Sequence, residues 1–258
     1  MRVVYRVASC GVFVILLAAC AASVPPSRIG DYVPVGQSFD DSRLTVEQRP
    51  LRAGLLLISD TAARDAAPNL PDEAMTKLGE ELRHEISRAL PVSITTVIPA
   101  RGIPPFEGHG NQSQLSELAK QHGVDYLAVV VLSSTEQEYP VSLLLGWTTH
   151  MQPGYRRDNW SLLEFALFDA QDGKVLMREE GRGWATLDRP TAPGINQWYP
   201  VVYLRPQEEH RYWPPTYEGA PYTLRVVSFN QASKRLTTKL QNSWLGQLDA
   251  DAAARGSG

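Results

Sequence analysis

The side chains best suited to chemistry in this chain are five histidines, two cysteines and a scatter of serines and carboxylates. Their spacing decides what they can do. His84-Glu85-Ile86-Ser87-Arg88 supplies half of a zinc-protease helix, but an arginine stands where the second histidine ligand must be. A guanidinium does not lose its proton in proteins and cannot bind zinc, so this stretch reads as the solvated face of a helix. His109, His122, His150 and His210 fall in separate segments without ligand spacing. Chain order leaves a Ser/His/Asp triad open, yet no Gly-x-Ser-x-Gly turn presents a serine. Gly181-x-Gly183 lacks the third glycine and the following helix of a phosphate loop. Asp169, Asp172 and Gly173 lack the further acidic ligands of a calcium loop and read as turn formers. No cofactor or metal site emerges, and the chain reads as a non-enzyme.

Cys20 is different. Arg2 and Arg6 give the N-terminus a positive start, and Gly11 to Leu17 form an apolar run. That run is far shorter than the about 20 residues a membrane-spanning helix needs, and it reads as an export signal over residues 1–19. Leu17-Ala18-Ala19-Cys20 resembles the lipobox of bacterial lipoproteins. The resemblance implies cleavage before Cys20 and acylation of its thiol and new amine, a palmitate-type anchor in place of a transmembrane helix. Several acyl chains on one residue anchor stably where one does not. Ala21 occupies the position where an aspartate would imply inner-membrane retention, so the resemblance implies attachment to the outer membrane, facing the periplasm.

Removing the first 19 of 258 residues leaves 239, and the loss of two arginines moves the formal charge from −3 to −5. A mildly acidic chain without basic runs offers nucleic acid no electrostatic footprint. With Cys20 acylated and Cys10 removed, no thiol is left for a disulfide, a thiolate metal site or a cysteine nucleophile. The fold must rest on its own core.

The elements follow from pattern. Residues 20–50, with Pro25, Pro26, Gly30, Pro34 and Gly36, read as the lipidated cysteine and a flexible tether; Tyr32, Val33 and Val35 could pack on the domain, but a solvated linker is the expected state. A single α/β domain is expected over 51–248. Ala53 to Ser59 is a continuous apolar run, as in a strand buried on both faces. Met75, Leu78, Leu82, Ile86 and Leu90 recur at helical spacing between Pro71 and Pro91. Val92 to Ile98 is β-branched and reads as a second strand. Ser113 or Asn111 can cap a short helix through Lys120, with Gly123 past its end. Val124 to Ser133 is the most apolar strand. Trp160 to Asp169 and Lys174 to Thr186 flank Asp172-Gly173, a hairpin signal. Val226, Phe229, Ala232, Leu236, Leu240 and Trp244 mark a long closing helix, and residues 249–258 read as a frayed, disordered tail. The fold class is therefore α/β: a mixed sheet (β-α-β-α-β, then a β-hairpin) with helices packed on it and a long C-terminal helix.

The helix-strand passage Leu115 to Leu132, containing Gly123-Val124-Asp125-Tyr126, and the later Phe165 to Leu176, containing Asp169-Ala-Gln-Asp-Gly173, resemble an envelope architecture. It is that of the curli-secretion lipoprotein CsgG and of the amino-terminal domain of TolB. Val97-Ile98-Pro99, Gly123-Val124-Asp125 and Leu143-Leu144-x-x-Trp147 also resemble the rhombotarget lipoproteins. These likenesses imply a scaffold and carry no catalytic residue.

Two stretches outside the regular pattern could touch partners. Val141 to Thr149, with Trp147, reads as a buried strand or as a contact segment. Three consecutive leucines, Leu143 to Leu145, break the alternation that a pore hairpin requires. Residues 187–222, an aromatic and proline-rich insertion, hold Trp198, Tyr199, Tyr212, Trp213 and Tyr217. Aromatic rings beside prolines give large contact area at low entropic cost. They serve either an envelope partner or self-association, or they stack on a glycan such as peptidoglycan, or they pin the loop to the sheet. The expected role is a non-catalytic interaction or assembly factor, anchored to the membrane by its N-terminal lipid. Glycan binding is the alternative, and a hydrolase ranks below both.

Overall fold

The apolar run after Pro50 becomes β1 (Leu51–Asp60), which lies between β2 (Val92–Pro99) and β3 (Tyr126–Leu144) and runs parallel to both. The computed structural model describes residues 24–34, 50–63, 65–99, 112–144, 151–191 and 199–256. Four further strands, β4 (Met151–Asp169), β5 (Val175–Pro190), β6 (Val201–Leu204) and β7 (Arg211–Tyr212), add successively and antiparallel. Across the sheet the order is β2-β1-β3-β4-β5-β6-β7. The mixed α/β class is the one expected.

Two crossovers explain why both faces of β1 are apolar. Helix α1 (Asp72–Ala89) leads from β1 to β2 on one side, and α2 (Gln112–Gln121) leads back past β1 to β3. Right-handed crossovers in opposite directions put their helices on opposite faces. Leu51, Ala53, Leu55 and Leu57 accordingly meet Leu78, Leu82 and Ile86 of α1 on the first face, where α3 (Ala220–Gly256) adds Phe229, Ala232, Leu236 and Leu240. Leu56 and Ile58 meet Leu115 and Ala119 of α2 on the second face. Each large side chain so buried contributes about 1.5–3 kcal/mol.

The punctuation works as its chemistry dictates. Asp72 and Glu73 sit in the first turn of α1 and Arg88 in its last, complementing the helix dipole. Gly123 adopts φ +63 just past α2, a conformation glycine reaches without strain. Asp169 accepts the N–H groups of Gln171 (2.8 Å) and Asp172 (3.2 Å) to shape the β4–β5 turn.

Several expectations change. β3 runs on from Ser133 to Leu144, and β4 starts at Met151 rather than Trp160, in one register from Tyr126↔Asp169 to Leu144↔Met151. The distal halves of these strands are held by ion pairs, so no apolar pattern announced them. Leu143 is a buried strand residue, while 145–150, with Trp147, lie outside the described residues. The described residues of 187–222 are not an insertion apart from the sheet: they finish β5, supply β6 and β7 and enter α3, while 192–198 lie outside the described residues. Helix also continues to Gly256 through the stretch read as frayed, where Ala250 and Ala252 to Ala254 are strong helix formers.

The largest change concerns the tether. Over 24–34 the chain packs on the second face: Ile29 is 8% exposed, Tyr32 2% and Val33 0%. They join the cluster formed by Leu56, Ile58, Val129 and Val131. Burial of three apolar side chains displaces the solvated state expected there and puts Tyr32 and Val33 in the packed alternative, while Val35 lies outside the described residues.

Candidate functional site

The second sheet face carries two clusters of buried carboxylates. At the first, Glu164 lies in β4 among Leu162, Leu163 and Phe165 and is 3% exposed. Its carboxylate accepts the N–H groups of Arg28 (2.6 Å) and Ile29 (3.1 Å), and the hydroxyl of Ser27. Asp60, at the end of β1, accepts from Arg28 Nε (3.0 Å) and the Tyr32 hydroxyl (2.9 Å). Burial pushes the Asp60 carboxyl up, but the N–H of Ala62, Arg28 and Tyr32 outweigh it and hold the group below its usual range. The Tyr32 hydroxyl is raised by burial and by that same bond. Two carboxylates thus form a seat for a turn at Ile29–Asp31.

The second cluster ties β3, β4, β5 and β6 together. Asp158 accepts the hydroxyls of Tyr139 (2.7 Å) and Thr186. Asp188 takes a two-pronged bond from Arg156 (2.7 and 2.8 Å) and the hydroxyl of Tyr203. The bonds to Asp188 raise the Arg156 guanidinium against its burial. Burial and the bond to Asp158 push the Tyr139 hydroxyl up to about 12. Tyr203 is raised by burial and by Asp188, so these phenols remain donors at neutral pH. Arg205 lies over the rings of Tyr203 (4.8 Å) and Trp184 (5.9 Å), and Trp184 stacks on Trp160 at 5.9 Å. Each of these carboxylates already accepts bonds from its neighbours, which suits a structural lattice.

On the first face, Glu136 binds Arg225 (2.6 Å), and Glu138 binds Arg157 (2.8 Å) and Arg189 (3.2 Å). Here α3 crosses β5 directly on Gly181 and Gly183. A Cβ at Gly183 would stand 1.9 Å from the Ser228 carbonyl oxygen, and one at Gly181 would stand 2.1 Å from that of Ala232. Gly181-x-Gly183 is therefore a helix-packing notch.

The structure divides the aromatic candidates. Tyr199 is half-buried, its hydroxyl raised by burial and by the charge of Asp188. The ring of Tyr217 takes Arg189 at 5.8 Å, and its hydroxyl donates to the Pro190 carbonyl (3.4 Å). Tyr217 is thus tied to the end of β5, although it stays 40% exposed, as Tyr212 does. Tyr212 and Trp213 project from the β7 edge, with Trp213 53% exposed. Tyr212 also lines a groove between α1, α3 and the β6–β7 turn, with Glu81, Glu85, His210 and Lys234. Trp198, Trp147 and Cys20 lie outside the described residues. His84 sits exposed on α1 beside Arg83. Among the described residues no three His, Cys, Asp or Glu converge as metal ligands, and no helix is long and apolar enough to cross a membrane.

Sequence reasoning missed the seat. The available signal was Glu164 itself, one charge inside Leu162-Leu163-Glu164-Phe165, because a buried carboxylate persists only where donors satisfy it.

No family model and no curated protein matches the chain. Solved structures align loosely. The C-terminal domain of LpoB from Salmonella enterica is 14% identical over 54% of this chain and 87% of its own, with a TM-score of 0.30. A neuraminyllactose-binding hemagglutinin homolog from Helicobacter pylori is 8% identical, covering 87% and 97%, at 0.39. Lipoprotein GNA1162 from Neisseria meningitidis is 11% identical, covering 55% and 85%, at 0.27. Bacterial lipoproteins are thus among the structural neighbours, and at these scores the likeness carries no functional conclusion.

Proposed function

We propose that this is a lipid-anchored protein of the bacterial envelope, attached through Cys20 at the periplasmic face of the outer membrane. It acts as a non-catalytic interaction or assembly factor. The location is supported by the export signal and the lipobox-like Leu17-Ala18-Ala19-Cys20. The likenesses to the curli-secretion, TolB amino-terminal and rhombotarget proteins belong to the same reading.

One observation carries the role. The buried carboxylates Asp60, Asp158, Glu164 and Asp188 are engaged in internal lattices, while Tyr212 and Trp213 are exposed at a sheet edge, Tyr212 lining a groove. Exposed aromatic rings at an edge are what a protein contact uses. β7 itself is short and is followed by Pro214 and Pro215, which blunts strand-on-strand pairing and leaves the side chains to recognise the partner.

Photo-crosslinking in live cells from position 211, on the same exposed strand, with and without Trp213→Ala, tests this. The expected result is one envelope partner, lost in Trp213→Ala while the melting temperature stays within about 2 °C, as for a surface change of under 0.5 kcal/mol. A crosslink pattern identical in wild type and variant would overturn it. Loss of sedimentation with purified cell wall in Trp213→Ala, with no protein partner, would establish the glycan alternative instead.

A further inference from the structure

We propose that the seat on the second face converts the lipid anchor from a long tether into a short mount, holding that face of the sheet against the bilayer. The inference rests on the reading of Cys20 as the lipid-bearing residue.

The argument is one of chain length. Residues 20–50 would, if unattached, let the domain travel about 100 Å from the membrane, at 3.3–3.6 Å per extended residue. The structure instead fixes the chain from Pro25, which is buried, through Val33. The attachment is specific. Glu164 takes two consecutive backbone N–H groups, Asp60 takes two side chains, and Ile29, Tyr32 and Val33 enter the apolar cluster beneath. Between Cys20 and Pro25 only residues 21–24 remain, so the seated chain reaches the lipid within about 18 Å.

Orientation follows. The seat and α2 share the second face, whereas α1 and α3 cover the first. A mount this short turns α2 toward the bilayer and leaves α3, with the groove at Tyr212 and Lys234, directed away from it. No affinity of the sheet for headgroups is needed, because the covalent lipid supplies the attachment and the seat supplies the direction. A partner meeting the Tyr212–Trp213 edge would approach a surface held at fixed height.

The full-length acylated protein tests this in vesicles of phosphatidylethanolamine and phosphatidylglycerol containing a headgroup-labelled acceptor lipid. Cysteines introduced singly at two exposed positions, Lys120→Cys on α2 and Lys239→Cys on α3, carry the donor fluorophore. Energy transfer is expected to be severalfold stronger from 120 than from 239. Inserting a flexible Gly/Ser segment between Ser23 and Val24 leaves the fold and the seat intact, and should abolish the difference. Glu164→Gln should reduce it by opening the seat. Equal transfer from both positions in the parent protein, or a difference that survives the insertion, overturns the mount. Palmitate labelling of the cells that produce the protein reports separately on the anchor. A parent protein that takes up no palmitate sinks both readings, whereas palmitate uptake with equal transfer sinks the mount alone.

Discussion

The two carboxylate clusters share one sheet face and differ in where their donors come from. Asp158 and Asp188 are satisfied by side chains of strands in the same sheet: Tyr139, Arg156, Thr186 and Tyr203. Glu164 is satisfied by backbone that lies 135 and 136 residues away in sequence. The first arrangement locks register, since a one-residue slip would turn every member to the other face. The second holds a separate segment that adds little to the sheet's own pairing. Similar groups thus serve as lattice in one place and as receptor in the other.

The largest effect should come from the far side of β5. Gly183→Val places a side chain inside the Ser228 carbonyl of α3, and backbone cannot yield as a flexible side chain can. It should cost about 3 kcal/mol or more, above the usual range of overpacking, read by urea unfolding. The comparison sharpens if protection is lost first at Trp184, Thr186 and Asp188, while the amide of Ile29 keeps its slow hydrogen exchange. Next comes Asp188→Asn. Removing one partner of a buried pair costs about 3–5 kcal/mol, but Arg156 retains 28% side-chain exposure, so about 2 kcal/mol is expected. Rapid cleavage of residues 24–34 in that variant would break the separation between lattice and seat.

Legibility in the sequence followed the same division. Where burial is apolar, as in Leu55 to Ile58, Leu78 to Ile86 and Leu127 to Val131, spacing marked the strands and helices and the order of the βαβ units. Where polar bonds do the holding, spacing was silent. Glu136, Glu138, Arg156 and Asp158 look like solvated residues, although Asp158 is only 5% exposed. Pro25, Pro26 and Gly30 look like a linker because breakers say how a chain bends and nothing of what it leans on. Of the aromatic candidates, composition marked the region, but only coordinates separate half-buried Tyr199 and Tyr217, held by Arg189 and Pro190, from Tyr212 and Trp213 at the β7 edge.

Glu164→Gln should be milder globally and sharper locally. An amide keeps one acceptor but turns its NH2 toward N–H groups that need an acceptor, a loss of about 1–3 kcal/mol for a buried hydrogen-bonded group. Because the sheet does not depend on the segment, most of that loss should appear as local opening. Limited proteolysis of residues 21–258 should cut near Ser27 to Val33 at least tenfold faster, as about 1.4 kcal/mol of opening free energy implies, with the unfolding midpoint little moved. A midpoint that falls as far as in Asp188→Asn would show that seat and lattice are one unit.

The smallest effect is a pH response that belongs to the seat. Asp60 is lowered on folding because Ala62 N–H, Arg28 and Tyr32 outweigh its burial. A lowered carboxyl contributes stability that is complete above its unfolded pKa of about 3.9 and is lost as the pH falls toward the folded value. The seat should therefore be unaffected between neutrality and about pH 5 and loosen only below about pH 4, where protonation costs Arg28 the buried one of its two carboxylate partners, Asp31 being the other. Hydrogen exchange at Ile29 and Tyr32, corrected for the intrinsic pH dependence of exchange, reads this directly. In Asp60→Asn the amides should exchange faster at neutral pH, and the acid-induced change should be gone. An acid response that persists in Asp60→Asn would move its origin away from Asp60. No response in the parent protein would mean that the Glu164 bonds and the burial of Ile29 and Val33 hold the segment without help from Asp60.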